Sequence, residues 1–539
     1  MRWLLPSVSD LIFVSLFCLL VFTSLSPRLL GDAGIGWHIR TGQIILSSHS
    51  VPRVDPFSSS VAGNPWFAWE WLYDVIVGRL EGAFGLNGVV VFTAFIIALT
   101  FSLAFSMLLR RRTNLGLALV LILLAASASM IHFFARPHVV TWLFTLLWFW
   151  ILDSSKGNAG ALHLHSAEHP PSKKAPYNFL WLLPVTMVLW VNMHGGFLIG
   201  LVLLGIYWFA GVWACMRPAK HGFDEAMTKI RARRGVRNLT LIGLCSLGVT
   251  LINPYGIQLH IHIYRYLSNP FLMNHIDEFQ SPNFHYVAQK CFAVVMLLTL
   301  IALAAQGRAR RKLALSEGLV ILFAVYSGLY ASRNIPTSSL LLILIIGPRL
   351  SDAIAGFSDQ QPLPGVFRVL RTPARFFKRM QAIEGVLRGH LLPATAVLLI
   401  CLIAMHGGNL GSRPLISARF DDKRFPAGAV NYIAAQNFTG PAFSPDAWGG
   451  YLIYRLYPGV KVVIDDRHDF YGEPFLRSYL KAIHVEPDWR VFLDQYPAEC
   501  LILPENSALA NILKETAAWQ LTYRDDVAVV FVPVRQDRN

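Results

Sequence analysis

The chain reads as long apolar runs separated by short polar or basic segments. Leu115 to Phe134 and Leu391 to Met405 are two such runs, and neither contains an Asp, Glu, Lys or Arg. Runs of this kind suit a hydrocarbon core about 30 Å thick, which a helix crosses in about 20 residues. Spans are expected at 11–28, 86–108, 115–133, 138–152, 178–193, 197–214, 238–252, 291–306, 314–331, 335–349 and 391–407, about eleven crossings in all. The run at 138–152 is short for a perpendicular crossing, so its ends are the least defined. The N-terminal run follows Met1-Arg2-Trp3 and lacks a clear small-x-small exit. It therefore reads as a retained anchor rather than a cleaved signal.

An odd number of crossings puts the two chain ends on opposite sides. The basic clusters Arg110-Arg111-Arg112, Arg231 to Arg237, Arg308 to Lys312 and Arg368 to Arg388 then share one side. The bias of Lys and Arg toward the cytoplasm places the N-terminus there and residue 413 onward outside. The outer loops collect most of the unusual side chains: Asp32, Trp37-His38, Asp55, Glu70, Arg136-Pro137-His138, Asn192-Met193-His194, Asn253-Pro254-Tyr255 and Arg333-Asn334. The first outer loop, 31–83, is too long for a simple connector. Its Trp66, Trp69 and Trp71 suit a segment at the headgroup level, with interfacial helices expected at 37–47 and 67–82.

The region 413–539 changes character. A helical stretch from Phe425 is followed by short β-type runs at Val460 to Ile464, Cys500 to Leu503 and Val527 to Val532. Helical stretches at Phe475 to Ala482 and Ala508 to Ala517 lie between them. This alternation predicts a small extracytoplasmic α/β domain, and at about 125 residues it is long enough to bury a core of its own. The expected organisation is a membrane domain over 1–412 and a soluble domain over 413–539.

Composition agrees with this reading. The chain is 54% hydrophobic and 15% charged, with mean hydropathy +0.46, against about 25% charge in soluble domains. The net charge of +15 sits in the inter-span loops, and no groove-reading module accompanies it, so nucleic acid is excluded as a partner. No GxxxxGK[ST] or GxGxxG context is present, which excludes a nucleotide site. The six cysteines show neither disulfide nor metal spacing.

Four constellations carry candidate chemistry. Asp32, Asp55 and Glu70 share the first loop, where a carboxylate can act as a base or hold a cation. For Asp55 the competing reading is a turn cap before Pro56, and for Glu70 a pairing with an arginine. Asp32 is followed by Trp37-His38-Ile39-Arg40, where helical spacing would put His38 and Thr41 on one face. Arg40 would grip a phosphate through its planar fork or snorkel to the interface. Arg136, His138, His194 and Arg333 all stand at outer ends of spans, suited to a lipid phosphate or to ordinary headgroups. Asn192 and His194 precede Gly195-Gly196, and His194 reads as a ligand or as a turn residue, since the glycines permit a tight reversal. In the soluble region, Ser444 to Tyr454 reads as a glycine turn entering a helix. Lys461 to Tyr471 reads as a buried strand ending in a charged loop with Asp465 and Arg467, a common location for ligands.

The segment Gly31-Asp32 with Trp37-His38-Ile39-Arg40-Thr41-Gly42, set in a long first loop, resembles the GT-C superfamily of membrane glycosyltransferases. The whole architecture is similar to a group of bacterial polytopic membrane proteins assigned to it. The resemblance implies a GT-C-like fold and transfer of a hexosyl or pentosyl group from a polyprenyl-phosphate donor at the outer face of a bacterial inner membrane. Asp32 would be the catalytic carboxylate. Arg40, Arg136, His138 and Arg333 would hold the donor phosphate or lipid. Trp37, His38, Asp55, Glu70, Asn192, His194, Asp465 and Arg467 would be pocket candidates. The partners implied are a lipid-linked sugar and membrane lipid. No organic cofactor is implied, and a divalent metal is left open. The superfamily often carries two adjacent acidic residues in this loop, whereas Asp32 stands alone before Ala33 and Gly34. Asp446-Ala447-Trp448-Gly449-Gly450-Tyr451 resembles in part the Trp-Trp-Asp-Tyr-Gly motif of oligosaccharyltransferases but lacks the Trp-Trp pair, so peptide recognition is not carried over. Two other readings stay open: a transporter or flippase of lipid-linked glycans, and a non-catalytic assembly protein. An enzyme requires Asp32 on an open cavity, whereas a scaffold would bury it in a local salt bridge.

Overall fold

The computed structural model describes residues 5–160, 176–217, 223–305, 312–358, 376–377, 379–384, 387 and 389–534. The apolar runs form helices whose ends follow local chemistry. Val8–Phe22 opens with a capping box, in which Ser7 accepts the Asp10 N–H and Asp10 accepts the Ser7 N–H at 2.9 Å. It stops short of residue 28 because Thr23 is extended and its hydroxyl donates back to Leu19 O, a local bond that competes with helix continuation. A separate short helix, Leu25–Leu29, then leads toward Asp32.

Among the described residues, five helices are long and apolar enough to cross a membrane by length and composition: Trp71–Arg110, Leu115–His132, Phe197–Met216, Val287–Ala304 and Ser332–Gly356. Val8–Phe22, Phe179–Met193, Leu315–Tyr330 and Leu391–Met405 are shorter apolar helices. The short run at 138 becomes a 23-residue helix, His138–Gly160. Leu123, Leu300 and Leu322 present apolar side chains outward at 67%, 62% and 66% exposure, a surface made for hydrocarbon rather than water. The chain is a helical membrane protein. The expected basic clusters at 308–311 and in most of 368–388 lie outside the described residues. Arg111, in the first cluster, is not a free loop charge: it bonds Asp153 and pairs with Glu317 at 3.1 Å.

The first loop holds the helix expected from its pattern, Ile35–Ser48. The second expected interfacial helix is instead the first part of Trp71–Arg110, which bends at Gly85 (φ 62°, ψ −162°) before entering the apolar segment. The Ile35–Ser48 helix is wedged between two partners at glycine positions. A Cβ on Gly42 would overlap the Asp74 carbonyl, and one on Gly36 would overlap the Gly450 carbonyl.

In the C-terminal region the strands are β1 (Asn409–Leu410), β2 (Arg413–Pro414), β3 (Ala442–Phe443), β4 (Cys500–Pro504), β5 (Trp519–Arg524) and β6 (Ala528–Pro533). β1 and β2 form a small antiparallel pair. The others form a sheet of order β3-β4-β6-β5, parallel only between β3 and β4. The expected run at Val460 contributes through Val462, which bridges in parallel to Ala442 on one side and to Ser58 on the other. Val462 N–H donates to Phe57 O at 3.1 Å, and Ser59 N–H donates to Val462 O at 2.8 Å. Loop residues 57–59 therefore extend the sheet of the C-terminal region. The expected helices appear as Ala427–Ala435, Glu473–His484 and Ala508–Lys514. The glycine turn expected before residue 451 is not a turn. The helix Asp446–Leu456 runs through Gly449 and Gly450, which are small because the Ile464 and Ala33 carbonyls press against them.

Overpacking of this kind costs about 1–3 kcal/mol. Gly42→Ala is therefore expected to lower the thermal unfolding midpoint in detergent. Gly82→Ala is the control: its Cβ would meet nothing within 4 Å, and it should leave the midpoint unchanged or higher.

Candidate active site

The ends of the helices that carry the unusual loop residues converge with the C-terminal region around a cavity of about 1280 Å³. Asp32, Trp37, Glu70, Arg136, His138, His194, Arg333 and Arg467 line it. Asp32 is reached from the Leu25–Leu29 helix, Glu70 stands at the start of Trp71–Arg110, and Arg136 immediately precedes His138–Gly160.

The polar centre is the Arg136 guanidinium. Its Nη1 donates to Asp32 Oδ1 at 2.9 Å and to Asp466 Oδ2 at 2.7 Å. Asp466 Oδ1 accepts the Trp37 indole N–H at 2.9 Å. Asp32 Oδ1 also accepts the Gly34 N–H at 2.9 Å, and Oδ2 has no hydrogen-bond partner among the described residues. Arg136 Nε and Nη2 likewise have no acceptor among the described residues. Burial disfavours the Arg136 charge, but Asp32 and Asp466 outweigh it and raise its pKa well above the ordinary value. Burial lifts Asp466 above the usual carboxylate range even against the pull of Arg136. Asp32 is thus both ion-paired and on the cavity wall, with its side chain 34% exposed.

Arg333 pairs with Glu278 at 3.1 Å and lies over the Phe279 ring. Burial opposes the Glu278 charge, yet Arg333 and then Arg136 hold its carboxyl down to about 2. Glu70 behaves oppositely: burial pushes it up to about 8 against the charges of Arg136 and Arg333. Its oxygens lie 3.8 Å from His38 Nε2 and 3.7 Å from His194 Nε2. Both imidazoles are pushed well below their ordinary value, first by burial and next by Arg136 for His38 and Arg333 for His194. The expected pairing of Glu70 with an arginine does not occur.

Several expected pocket residues serve packing instead. Arg40 does not line the cavity. Its Nε donates to Tyr454 O at 3.0 Å and its Nη1 to Gln43 Oε1 at 2.9 Å, so its fork is occupied by the protein. His38 is fully buried behind the wall and bonds Asp74 Oδ1 at 2.6 Å. Asn192 ties Trp71 to the Val188 and Ile252 carbonyls. Asp55 caps the turn at Phe57 and Ser58 and pairs with Arg467 at 2.8 Å. Asp465 grips the same Arg467 at 2.6 Å, and neither carboxylate is exposed. His138 bonds the His132 carbonyl at 2.7 Å from the cavity wall.

Sequence reasoning missed Asp466, Glu278 and Asp74. Alternation along an extended segment could have separated Asp465, facing the core, from Asp466, facing the cavity. Helical spacing from Glu70 could have found Asp74. Glu278 carries no local signal. For the metal left open above, no group of three His, Cys, Asp or Glu among the described residues is arranged to hold an ion. The gap between Asp32 and Asp466 is filled by Arg136.

His468 and Asp446, also on the wall, pair at 2.7 Å. Burial opposes both charges. Their mutual hydrogen bond wins, raising His468 and lowering Asp446. The stabilisation is fully present below the ordinary histidine value of 6.5 and is lost as pH rises through the higher folded value. Between about pH 6 and about pH 9, wild type should therefore lose more thermal stability than His468→Asn, a difference differential scanning fluorimetry would read.

No protein-family model and no curated protein matches this sequence. Solved structures do resemble it. ArnT from Cupriavidus metallidurans, bound to undecaprenyl phosphate, is 15% identical over 97% of this chain and 98% of that one, with a TM-score of 0.49. The Archaeoglobus fulgidus oligosaccharyltransferase in its apo form is 13% identical over 92% of this chain and 69% of that one, with a TM-score of 0.51. At these identities the likeness is one of fold alone: the chain shares the fold of the Archaeoglobus fulgidus oligosaccharyltransferase.

Proposed function

We propose that the protein transfers a sugar from a polyprenyl-phosphate donor to an acceptor hydroxyl in the cavity around Asp32. The observation that carries this reading is the Asp32–Arg136 pair on the cavity wall. One guanidinium nitrogen serves two carboxylates, while Nε and Nη2 remain for a ligand anion. That arrangement suits a phosphate, which a guanidinium grips through parallel N–H donors. Arg333 on the same wall adds a second cation, and the apolar helices beside the cavity suit the lipid tail. Asp32 Oδ2 accepts the acceptor's proton as its oxygen attacks the anomeric carbon. The bond from that carbon to the phosphate oxygen breaks, with its electron pair going to the phosphate. No step is assigned to a metal, because Arg136 supplies the positive charge between the carboxylates. The rest of the reading is that the bundle crosses a bacterial inner membrane about eleven times, with the N-terminus cytoplasmic and the region 413–539 outside as a soluble domain that covers the site.

Asp32→Asn is expected to lower transfer at least a hundredfold, given the roughly 10²–10⁴ usual for a general base, while the protein still elutes as a folded species in detergent. Wild-type transfer in that variant would end the mechanism. Chelator added to membranes with radiolabelled prenyl-phosphate sugars should change the rate by less than about twofold, since the charge a metal would bring (several kcal/mol of transition-state stabilisation) is assigned to Arg136. Abolition by chelator and rescue by a divalent ion would overturn that assignment.

A further inference from the structure

Among the described carboxyl groups on the cavity wall that are withdrawn from solvent, Glu70 stands apart; Asp277, also on the wall, is exposed. Asp32 and Asp466 hold Arg136, Glu278 holds Arg333, Asp446 holds His468, Asp469 holds His262, and Asp74 bonds His38. Among the described residues the Glu70 carboxyl makes no hydrogen bond and touches no guanidinium, yet the residue is only 9% exposed. The nearest groups to its oxygens are the two imidazoles at 3.7 and 3.8 Å. His194 Nδ1 accepts the Gly196 N–H at 3.0 Å. Its own proton therefore sits on Nε2 and faces Glu70. An ionised carboxylate in such a position bears the full cost of burial, whereas a neutral acid does not.

A sugar leaving a prenyl phosphate creates a second negative charge on the phosphate at a poorly hydrated membrane rim. That charge is costly in a low dielectric unless a cation or a proton meets it. Arg136 and Arg333 supply the cations. We infer that Glu70 supplies the proton, acting as the general acid that protonates the departing phosphate. This assignment rests on the glycosyl-transfer reading above. The anomeric carbon to phosphate-oxygen bond breaks as the bond from acceptor oxygen to that carbon forms. The acceptor's proton passes to Asp32, and the Glu70 proton passes to a phosphate oxygen. The His194 N–H then steadies the Glu70 carboxylate until water in the cavity returns a proton to Glu70 and removes one from Asp32. Glu70 and Asp32 thus form an acid and a base on one wall, separated in chemistry by their neighbours: a guanidinium beside Asp32, neutral imidazoles beside Glu70.

The charges that reach Glu70 are those of Arg136, Arg333, Asp469 and Glu278, with His38, His194 and Asp74 packed around it. Burial leaves it protonated up to about pH 8, so acid assistance should fade as pH rises through that value. The test uses the full-length protein in membranes or detergent, with a radiolabelled prenyl-phosphate sugar as donor. Single-turnover transfer by wild type is expected to fall above about pH 8. Glu70→Gln is expected to be at least about a hundredfold slower at neutral pH, with no fall of its own in that range. Independently of turnover, difference infrared spectra should show a neutral carboxyl band at neutral pH that is absent in Glu70→Gln and disappears from wild type in alkali. A transferring wild type whose rate is flat across that range, a Glu70→Gln variant as fast as wild type, or a carboxyl band that survives the substitution would each overturn the acid. A wild type that shows the band but transfers from no prenyl-phosphate sugar would instead overturn the glycosyl-transfer reading, and the acid's part in it with that reading.

Discussion

The architecture of the site depends on a single buried cation. Arg467 lies between Asp55 of the first loop and Asp465 of the C-terminal region, at 2.8 and 2.6 Å, with all three side chains withdrawn from water. Desolvating three charges is tolerable only when the geometry satisfies them, and removing one partner of such a set typically costs about 3–5 kcal/mol. Here the remaining hydrogen-bonding capacity is met: Asp55 caps Ser58, and Asp465 accepts from the Tyr471 hydroxyl. Because Asp465 is locked inward, its neighbour Asp466 is directed outward to Arg136. Arg136 in turn fixes Asp32. The position of the proposed base therefore follows from a clamp whose charges are withdrawn from water.

The cavity shows how environment sorts chemically similar groups. Burial pushes Glu278 and Glu70 alike upward, and what opposes burial differs between them. Glu278, beside Arg333, falls to about 2, while Glu70, beside imidazoles, rises to about 8. Two glutamates of one protein thus stand on either side of neutrality without any change in covalent chemistry. The aromatic rings do related work. Trp37 donates its indole N–H to Asp466 while lying 5.9 Å from the Arg136 guanidinium. It holds both halves of the ion pair in register.

Much of the helical fold was legible because hydrophobic runs leave little choice. Val8–Phe22, Leu115–Ser129 and Leu391–Met405 lie where the runs predict them. Breaks set by one residue were not legible: Thr23 ends the first helix early, and Gly85 joins two predicted helices into one bent element. The Ile257–Leu267 helix was missed because its apolar positions from Ile257 to Ile263 alternate with polar ones as in a strand, and Pro270–His275 because it is only six residues long. At the site, the residues at helix ends were legible as a set: Asp32, Arg136, His138, His194 and Arg333 share one cavity. Which of them is free and which is occupied was not. Arg40 carries the right chemistry but spends it on the Tyr454 carbonyl, a contact 414 residues away in sequence. Local pattern cannot report a partner that distant, and the same holds for Asp55 and Arg467.

The bridge between Ser58 and Val462 places a segment of the first loop at the edge of a sheet whose other strands come from the far end of the chain. Main-chain pairing of this kind depends on register rather than on side-chain identity, and it leaves no hinge between loop and domain. The first loop and the C-terminal region are accordingly tied to one another at this sheet edge. Heredity meets the same constraint. A recombination event that exchanged this region without its loop would inherit an unpaired sheet border and an arginine holding one carboxylate instead of two, so the two stretches, distant in the gene, form one unit of exchange.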